Sequence, residues 1–291
     1  MPARLGRVTD HATIAYAGEP GAFAEDAVIA YFGEAADRLG HASFRRVFEA
    51  VGDGDAVAGV VPIENVVNGT VRENYDLLLE HDLAVVGEVV VPVRLCLAAL
   101  PGQGLDDIER VYSHIQALGQ AEMFLRTRPW QLLSTYNTAG AGKSIVDRAE
   151  RGSAAVLSPR AAALFGLEVL ADEIGDLPGN RTRFLVLRKP SAVTLGAAAS
   201  AGTTMRTTLV MAVKNEPGTL LAALRVFAEH GLNMSELESR PSRERAWEYV
   251  FWVELDADAA APETEAALAG LRQVTTMVRV LGSYPRADDG A

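Results

Sequence analysis

A repeated switch of hydrophobic period constrains this chain more than any other feature. Between Thr13 and Leu187, short apolar runs of strand character alternate with segments whose apolar residues recur at helical spacing. Thr13–Tyr16 ends in the turn signal Gly18-Glu19-Pro20-Gly21 and leads into a helix-like stretch, Phe23–Phe32. Ala58–Pro62 reads as a buried strand closed by its proline, after which Val71, Tyr75 and Leu78 share one helical face. Leu83–Leu100 supplies one or two strands, and Ile108–Tyr112 another, followed by a helix carrying Leu118 and Leu125. Strands at Trp130–Tyr136, Ala154–Leu157 and Phe184–Leu187 then alternate with helices at Ala139–Ala149 and Arg160–Phe165. Such alternation specifies an α/β sheet, expected to be mostly parallel.

The pattern stops at RKPSAVTLGAAASAGTTMR, which has no apolar period and is rich in Ala, Ser, Thr and Gly. It then restarts as a strand at Thr207–Val213 and a helix from about Pro217 to His230, with Gly231 where a positive φ is wanted. Two strands follow, at about Leu232–Arg240 and Ala246–Leu255. In the second, Trp247, Tyr249, Phe251, Val253 and Leu255 alternate as in a half-buried strand. A helix opened by Pro262 carries Leu268 and Leu271, and Met277–Tyr284 is the last strand. The order βαββαβ is ferredoxin-like. The expected division is therefore 12–188, a linker at 189–206, and a small domain at 207–286.

Charge and composition exclude several classes. Over 291 residues the formal net charge is −11, which disfavours nucleic acid and anionic membrane surfaces as partners. An anionic ligand would have to be held by local donors against that field. Hydrophobic residues at 49% and charged residues at 22% describe an ordinary globular chain. Cys96 is the single cysteine, so no internal disulfide forms and a reducing compartment is suited. The opening MPARLGRVTDHA lacks the apolar run of a signal peptide, and Pro92 and Arg94 interrupt Val89–Leu100. A cytoplasmic location without a membrane partner is expected. The five histidines have no metal-ligand spacing, so no metal is expected, and no Gly-x-Ser-x-Gly elbow occurs. Gly140-Ala141-Gly142-Lys143-Ser144 imitates part of a phosphate loop, but Asn137 stands where its first glycine is required.

Three constellations carry possible chemistry. Thr182-Arg183-Phe184 enters a strand after Gly179-Asn180. An arginine there holds a carboxylate by two parallel bonds and the threonine offers one hydroxyl proton, although such a pair serves structure as readily. Pro62-Ile63-Glu64-Asn65 lies at a strand end, where open α/β sheets bind ligands; a cap for the next helix is the plainer role. Ser113-His114 begins a helix on which Gln116 and Gln120 share a face, a place suited to an anion or simply to solvent.

Taken together, YAGEPGAF (16–23), GVVPIENVVNGTVRENYDLLL (59–79), VYSHIQALGQ (111–120) and GLEVLADEIGDLPGNRTRFLVL (166–187) resemble prephenate dehydratase, in order and at the right distances. The resemblance implies two α/β lobes arranged like a periplasmic binding protein, with the catalytic threonine at Thr182 beside Arg183. It implies substrate contacts at Glu64, Asn65, Ser113, His114, Gln116, Gln120 and Phe184. Ile115, Val66, Ala24 and Asn137 depart from the usual pattern, where proline, serine, serine and Ser or Asp are common. The C-terminal segment resembles an ACT domain of the phenylalanine-binding kind, on Asn215-Glu216-Pro217-Gly218-Thr219-Leu220, Asn233 and Glu238-Ser239-Arg240-Pro241. Phenylalanine is thereby implied as an allosteric ligand at Asn215, Pro217, Gly218, Thr219, Leu220, Asn233, Glu238, Ser239 and Arg240, in a homodimer or homotetramer.

The implied reaction converts prephenate to phenylpyruvate with loss of carbon dioxide and water, without metal or organic cofactor. Its difficulty is the departing ring hydroxyl. A weak acid such as threonine contributes by orientation and preorganised electrostatics. An arogenate dehydratase would look almost the same. A non-catalytic amino-acid-binding module would share the fold but has no need of Thr182 and Arg183, and a decarboxylase acting without dehydration would lack the Thr-Arg-Phe motif.

Overall fold

The computed structural model describes residues 12–192, 203–241 and 249–287. Its first part runs β1 (Ile14–Ala17), α1 (Phe23–Phe32), β2 (Arg38–His41), α2 (Phe44–Asp53), β3 (Ala58–Asn65), β4 (Gly69–Thr70), α3 (Arg72–Glu80), β5 (Ala84–Pro92) and β6 (Cys96–Ala99). It continues through β7 (Arg110–Ser113), α4 (Ile115–Gln120), α5 (Glu122–Leu125), β8 (Gln131–Ser134), α6 (Thr138–Asp147), β9 (Ser153–Leu157), α7 (Pro159–Leu164), β10 (Glu168–Ala171) and β11 (Arg181–Arg188). The remainder is β12 (Met205–Ala212), α8 (Thr219–Glu229), β13 (Met234–Pro241), β14 (Tyr249–Leu255), α9 (Pro262–Val274) and β15 (Met277–Pro285), the expected βαββαβ order. Trp247 and much of the expected linker lie outside the described residues.

Three sheets result. The first has the order β2-β1-β3-β11-β5 with β4 on β3, the second β10-β6-β9-β7-β8, and the third β13-β14-β12-β15. The α/β class is as expected, but the pairing is mixed instead of mostly parallel. β1 pairs parallel with β2 and β3, as does β7 with β8 and β9, whereas β6 runs against β9 and β10. Parallel neighbours need a long crossover. The chain enters the second sheet at β6 directly from β5, with no crossover helix between them.

Local chemistry explains where the elements differ from the sequence reading. The strand β2 and helix α2 were not expected, because Arg-Leu-Gly-His has no apolar alternation. Instead Ser43 caps α2 by accepting from the Arg46 amide at 3.4 Å, and Val47, Phe48 and Val51 bury its inner face. Gly59 lets that helix lie close on β3, since a Cβ there would stand 2.9 Å from Val47 Cγ1. Pro62 does not close β3 but lies inside it. Pairing with β1 is spent at Val60 and β1 ends at Ala17, so no donor toward β1 is needed beyond that point. The helix expected across Leu118 and Leu125 is broken at Ala121 into α4 and α5.

All five residues of β9 are buried, because the second sheet is covered on both faces. Leu97, Val111 and Val156 pack with Leu118, Leu125 and Trp130 on one side; Cys96, Ala155 and Leu157 pack with Ala141, Ile145 and Ala161 on the other. Each of the leucine, valine and isoleucine side chains contributes about 1.5–3 kcal/mol by leaving water. In the third sheet, Leu209, Met211, Val253 and Leu255 face α8 and α9. The opposite face carries buried charge. Arg206 Nη1 lies 2.7 Å from Glu88 and its Nε 3.4 Å from Glu254, with all three side chains nearly inaccessible.

The chain condenses into two compact units whose limits do not follow the linker. Asp82–Glu88 and the described residues from Val186 onward form one; the described residues 12–81 and 89–185 form the other. The strands β5 and β11 are each divided between them.

Candidate active site

The residues Glu64 and Asn65 end β3, and Thr182 and Arg183 begin β11, its neighbour in the first sheet. Successive side chains of a strand point to opposite faces. Asn65, Thr182 and Phe184 fall on the buried side, whereas Glu64 and Arg183 take the other. The four polar residues therefore form two pairs, one on each face of the ladder.

The buried pair is a neutral network. The Asn65 carboxamide oxygen accepts from the backbone amides of Val67 (3.0 Å) and Asn68 (2.9 Å), which fixes the orientation of its amide. Its Nδ2 then donates to Asn180 Oδ1 (2.9 Å), Thr182 Oγ1 (2.9 Å) and the Arg181 carbonyl (3.1 Å). The Arg181 carbonyl also accepts from the Val66 amide, at 3.1 Å. Because Thr182 Oγ1 is an acceptor in this arrangement, its own hydrogen is left to donate elsewhere. The other pair is ionic: Arg183 Nη2 stands 3.3 Å from Glu64 Oε2. The arginine side chain is 11% exposed and the glutamate 47%, so the carboxylate remains half solvated and exchangeable.

A second group lies at the end of β7. The Ser113 hydroxyl donates to the Val156 carbonyl at 2.6 Å and is fully buried, so its proton is used within the sheet. His114 caps α4, its Nδ1 accepting from the Gln116 amide at 3.3 Å. Burial holds the His114 pKa below the ordinary imidazole range. The ring is then neutral near pH 7 with its proton on Nε2, a donor without positive charge. Gln116 is exposed, and the Gln120 carbonyl accepts from the Asp176 amide at 2.7 Å.

Backbone bonds hold the two groups in one frame. The Val93 amide donates to the Asn180 carbonyl (2.8 Å), the Ile174 amide to Leu95 (2.9 Å), and the Asp176 amide to Gln120. No hydrogen bond among the described residues joins Thr182 directly to Ser113, His114, Gln116 or Gln120.

The two lobes meet at residues the sequence reading did not single out. The Tyr136 hydroxyl donates to Glu19 at 3.2 Å, the Ser158 hydroxyl to the Gly21 carbonyl at 3.2 Å, and Arg160 pairs with Glu25 and Asp26. Gly21 has φ 89°, and a Cβ there would stand 2.8 Å from Ala161 Cβ, so only glycine fits this contact. A cavity of about 640 Å³ opens beside it, lined by Gly18, Glu19, Arg38, His41, Tyr136 and Asn137 among others. Its walls do not include Asn65 or Thr182. It runs along the edge strand β2 and its flanking residues, from Glu34 to Ala42, and touches the loop where the Thr135 amide donates to the Ser113 carbonyl, at 2.8 Å. The turn signal at 18–21 was legible as a turn, but its role as a lobe contact was not. Asn180 was visible only as part of the Gly179-Asn180 pair that precedes Arg181 and the Thr-Arg-Phe run.

In the C-terminal part, Gly218 has φ 85° and starts α8, while the Thr219 hydroxyl donates back to the Lys214 (2.6 Å) and Glu216 (2.9 Å) carbonyls. Asn215, Pro217 and Gly218 are exposed and Leu220 is half-buried. Asn233 Nδ2 donates to Asp256 at 2.6 Å. Along β13, Glu238 and Arg240 share the face that carries Trp252, and Ser239 points to the other. Among the described residues, no group of three or more His, Cys, Asp or Glu is placed to hold a metal, and no helix is long and apolar enough to cross a membrane.

Comparison with known proteins gives a consistent result. The prephenate dehydratase family matches residues 14–192, and the ACT domain family matches residues 207–273. A bifunctional chorismate mutase/prephenate dehydratase of Aquifex aeolicus is 37% identical over 276 residues, covering 94% of this chain and 74% of that protein. An arogenate dehydratase/prephenate dehydratase of Arabidopsis thaliana is 36% identical over 94% of this chain and 72% of its own length. Among solved structures, prephenate dehydratase from Arthrobacter aurescens in complex with L-Phe superposes with a TM-score of 0.85 at 34% identity, covering 95% of this chain and 91% of that one. GqqA, described as a novel type of quorum quenching acylase, gives 0.85 at 32% identity over 94% and 98%.

Proposed function

We propose that this chain, which belongs to the prephenate dehydratase family, is a lyase that converts prephenate to phenylpyruvate and answers to phenylalanine through its ACT domain. The observation that carries the chemistry is the buried bond from Asn65 to Thr182 Oγ1, which leaves the threonine hydrogen to be given to the ring hydroxyl. Departure of that hydroxyl as water is coupled to loss of the ring carboxylate as carbon dioxide, and the electron pair released by decarboxylation completes the aromatic ring.

Arg183, freed from Glu64, takes a substrate carboxylate by curling over the sheet end, since its own face is not that of Thr182. His114, Gln116 and Gln120 complete the substrate contacts, with the His114 Nε2–H as a neutral donor, while Ser113 and Phe184, both buried, support them from within the sheets. Threonine is a feeble acid, so fixed dipoles and orientation supply much of the barrier reduction. Thr182→Ala should lower kcat by about 10²–10⁴ in a phenylpyruvate absorbance assay. Near-normal turnover would refute the role.

The catalytic part spans 12–188, the linker 189–206 and the regulatory part 207–286. Asn215, Pro217, Gly218, Thr219, Leu220, Asn233, Glu238, Ser239 and Arg240 receive phenylalanine in a homodimer or homotetramer. The edge strand β13, none of whose residues is fully buried, supports pairing between copies. The net charge and single buried cysteine support a cytoplasmic location.

Two other readings have specific support. Arogenate differs only by an ammonium in the side chain, and a relative with that activity covers the same length; comparing kcat/KM for the two substrates decides. The likeness to the acylase supports hydrolysis of an N-acylated amine, in which water adds to the carbonyl and the C–N bond breaks to give carboxylate and amine. Release of free amine from such a substrate, lost in Thr182→Ala, would favour it.

A further inference from the structure

We propose that Asn180 is a positioning residue for the dehydration, acting through Asn65 to aim the Thr182 hydroxyl. The inference rests on the reading that Thr182 donates to the departing hydroxyl. A primary amide has two hydrogens, and Asn65 Nδ2 has three oxygens within 3.1 Å: Asn180 Oδ1, Thr182 Oγ1 and the Arg181 carbonyl. The Arg181 carbonyl is already served by the Val66 amide. The two shortest contacts, both 2.9 Å, go to Asn180 and Thr182.

Asn180 thus takes one hydrogen and commits the other to Thr182. Without that acceptor the hydrogen it held turns to the Arg181 carbonyl, and the amide plane tilts with it although Val67 and Asn68 still hold its oxygen. The hydrogen that reaches Thr182 Oγ1 then arrives at a different angle, and the threonine proton loses its fixed direction. Asn180 is only 9% exposed and its own carbonyl is tied to the Val93 amide at 2.8 Å, so the acceptor is held at a fixed place. Because the whole network is neutral, it orients a proton without adding a charge that would repel a dianionic substrate.

The test measures kcat, KM and Tm with prephenate for Asn180→Ala, Asn180→Asp, Thr182→Ala and the Asn180→Ala/Thr182→Ala double variant. Misaiming by a fraction of an ångström should cost about 10–100-fold in kcat with KM nearly unchanged. Asn180→Asp, which keeps an acceptor oxygen at that place but adds a negative charge, should recover most of the loss in kcat while raising KM for the dianionic substrate. The Asn180→Ala effect should vanish in the Thr182→Ala background, because the two act as one unit. If Asn180→Ala does not fold, Asn180→Leu, similar in size and without an acceptor, replaces it. Wild-type kcat in the folded non-acceptor variant, or an equal loss with and without Thr182, overturns the proposal. Full turnover in Thr182→Ala instead sinks the parent reading, so the two failures are distinct.

Discussion

The ladder of β3 and β11 and the helix-free face of the ACT-domain sheet solve the burial of polar groups in opposite ways. At the ladder, Asn65, Asn180 and Thr182 are buried without net charge, and the ion pair Arg183–Glu64 alongside leaves its carboxylate half in water. In the regulatory unit the charges themselves are sealed: Arg206 lies between Glu88 and Glu254, and all three are nearly inaccessible. The difference separates groups that exchange partners from groups that do not. On the function proposed above, the Arg183 guanidinium has to receive a ligand carboxylate, and the half-solvated Glu64 is a partner that water readily replaces. A guanidinium held between two buried acids has no such freedom.

The sharpest way to break this contrast is Arg206→Leu. Removing the cation leaves two buried carboxylates facing each other, and urea unfolding should show a loss of about 3–5 kcal/mol. A loss under about 1 kcal/mol would mean that the triad is no more locked than a surface pair. The ladder pair should respond differently. Glu64→Gln removes the charge that competes with the substrate for Arg183, so KM should fall by up to about tenfold while stability barely moves. A higher KM would show that Glu64 binds substrate directly, as the family resemblance implies.

The smallest effect concerns protons. His41 and His114 are both held below the ordinary imidazole pKa, chiefly by burial, with Arg46 adding to the effect at His41. Between the folded values and the unfolded value of about 6.5 the unfolded chain binds more protons. Their contribution is therefore complete above about pH 6.5 and is lost as pH falls from there through the folded values. Thermal melts should show Tm declining between pH 7 and 5, and a flat profile would contradict it.

How far the sequence disclosed this arrangement follows from the physics of each signal. Elements that bury a periodic apolar face were legible: α1, α3, β9 and the whole βαββαβ order rest on residues such as Val28, Leu78, Val156 and Val253, whose spacing states their environment. Elements whose burial comes from the fold were not. Strand β2 has no apolar alternation and no buried residue, and Pro62 reads as a terminator until the end of β1 is known. Thr182, Arg183, Glu64 and Asn65 stood out as a motif, yet the motif does not say that the pleat sorts them into two pairs. Asn180 carried no signal of its own, because an acceptor for another side chain's amide hydrogen leaves no periodicity. The lobe contact of Glu19 with Tyr136 is equally silent, since its partners are 117 residues apart.

The division of β5 and β11 has a practical corollary for anyone shortening the gene. A chain ended after Arg188 would keep Glu88 but lose Arg206 and the Ala287 amide that also donates to that carboxylate, at 2.9 Å. It would also expose Val85, whose carbonyl lies so close to Gly282 that a methyl group there would overlap it. Excising the sensor therefore does not return a tidy smaller enzyme. It leaves a sheet with a deprived acid near its rim, and loss of turnover in such a fragment would say nothing about signalling.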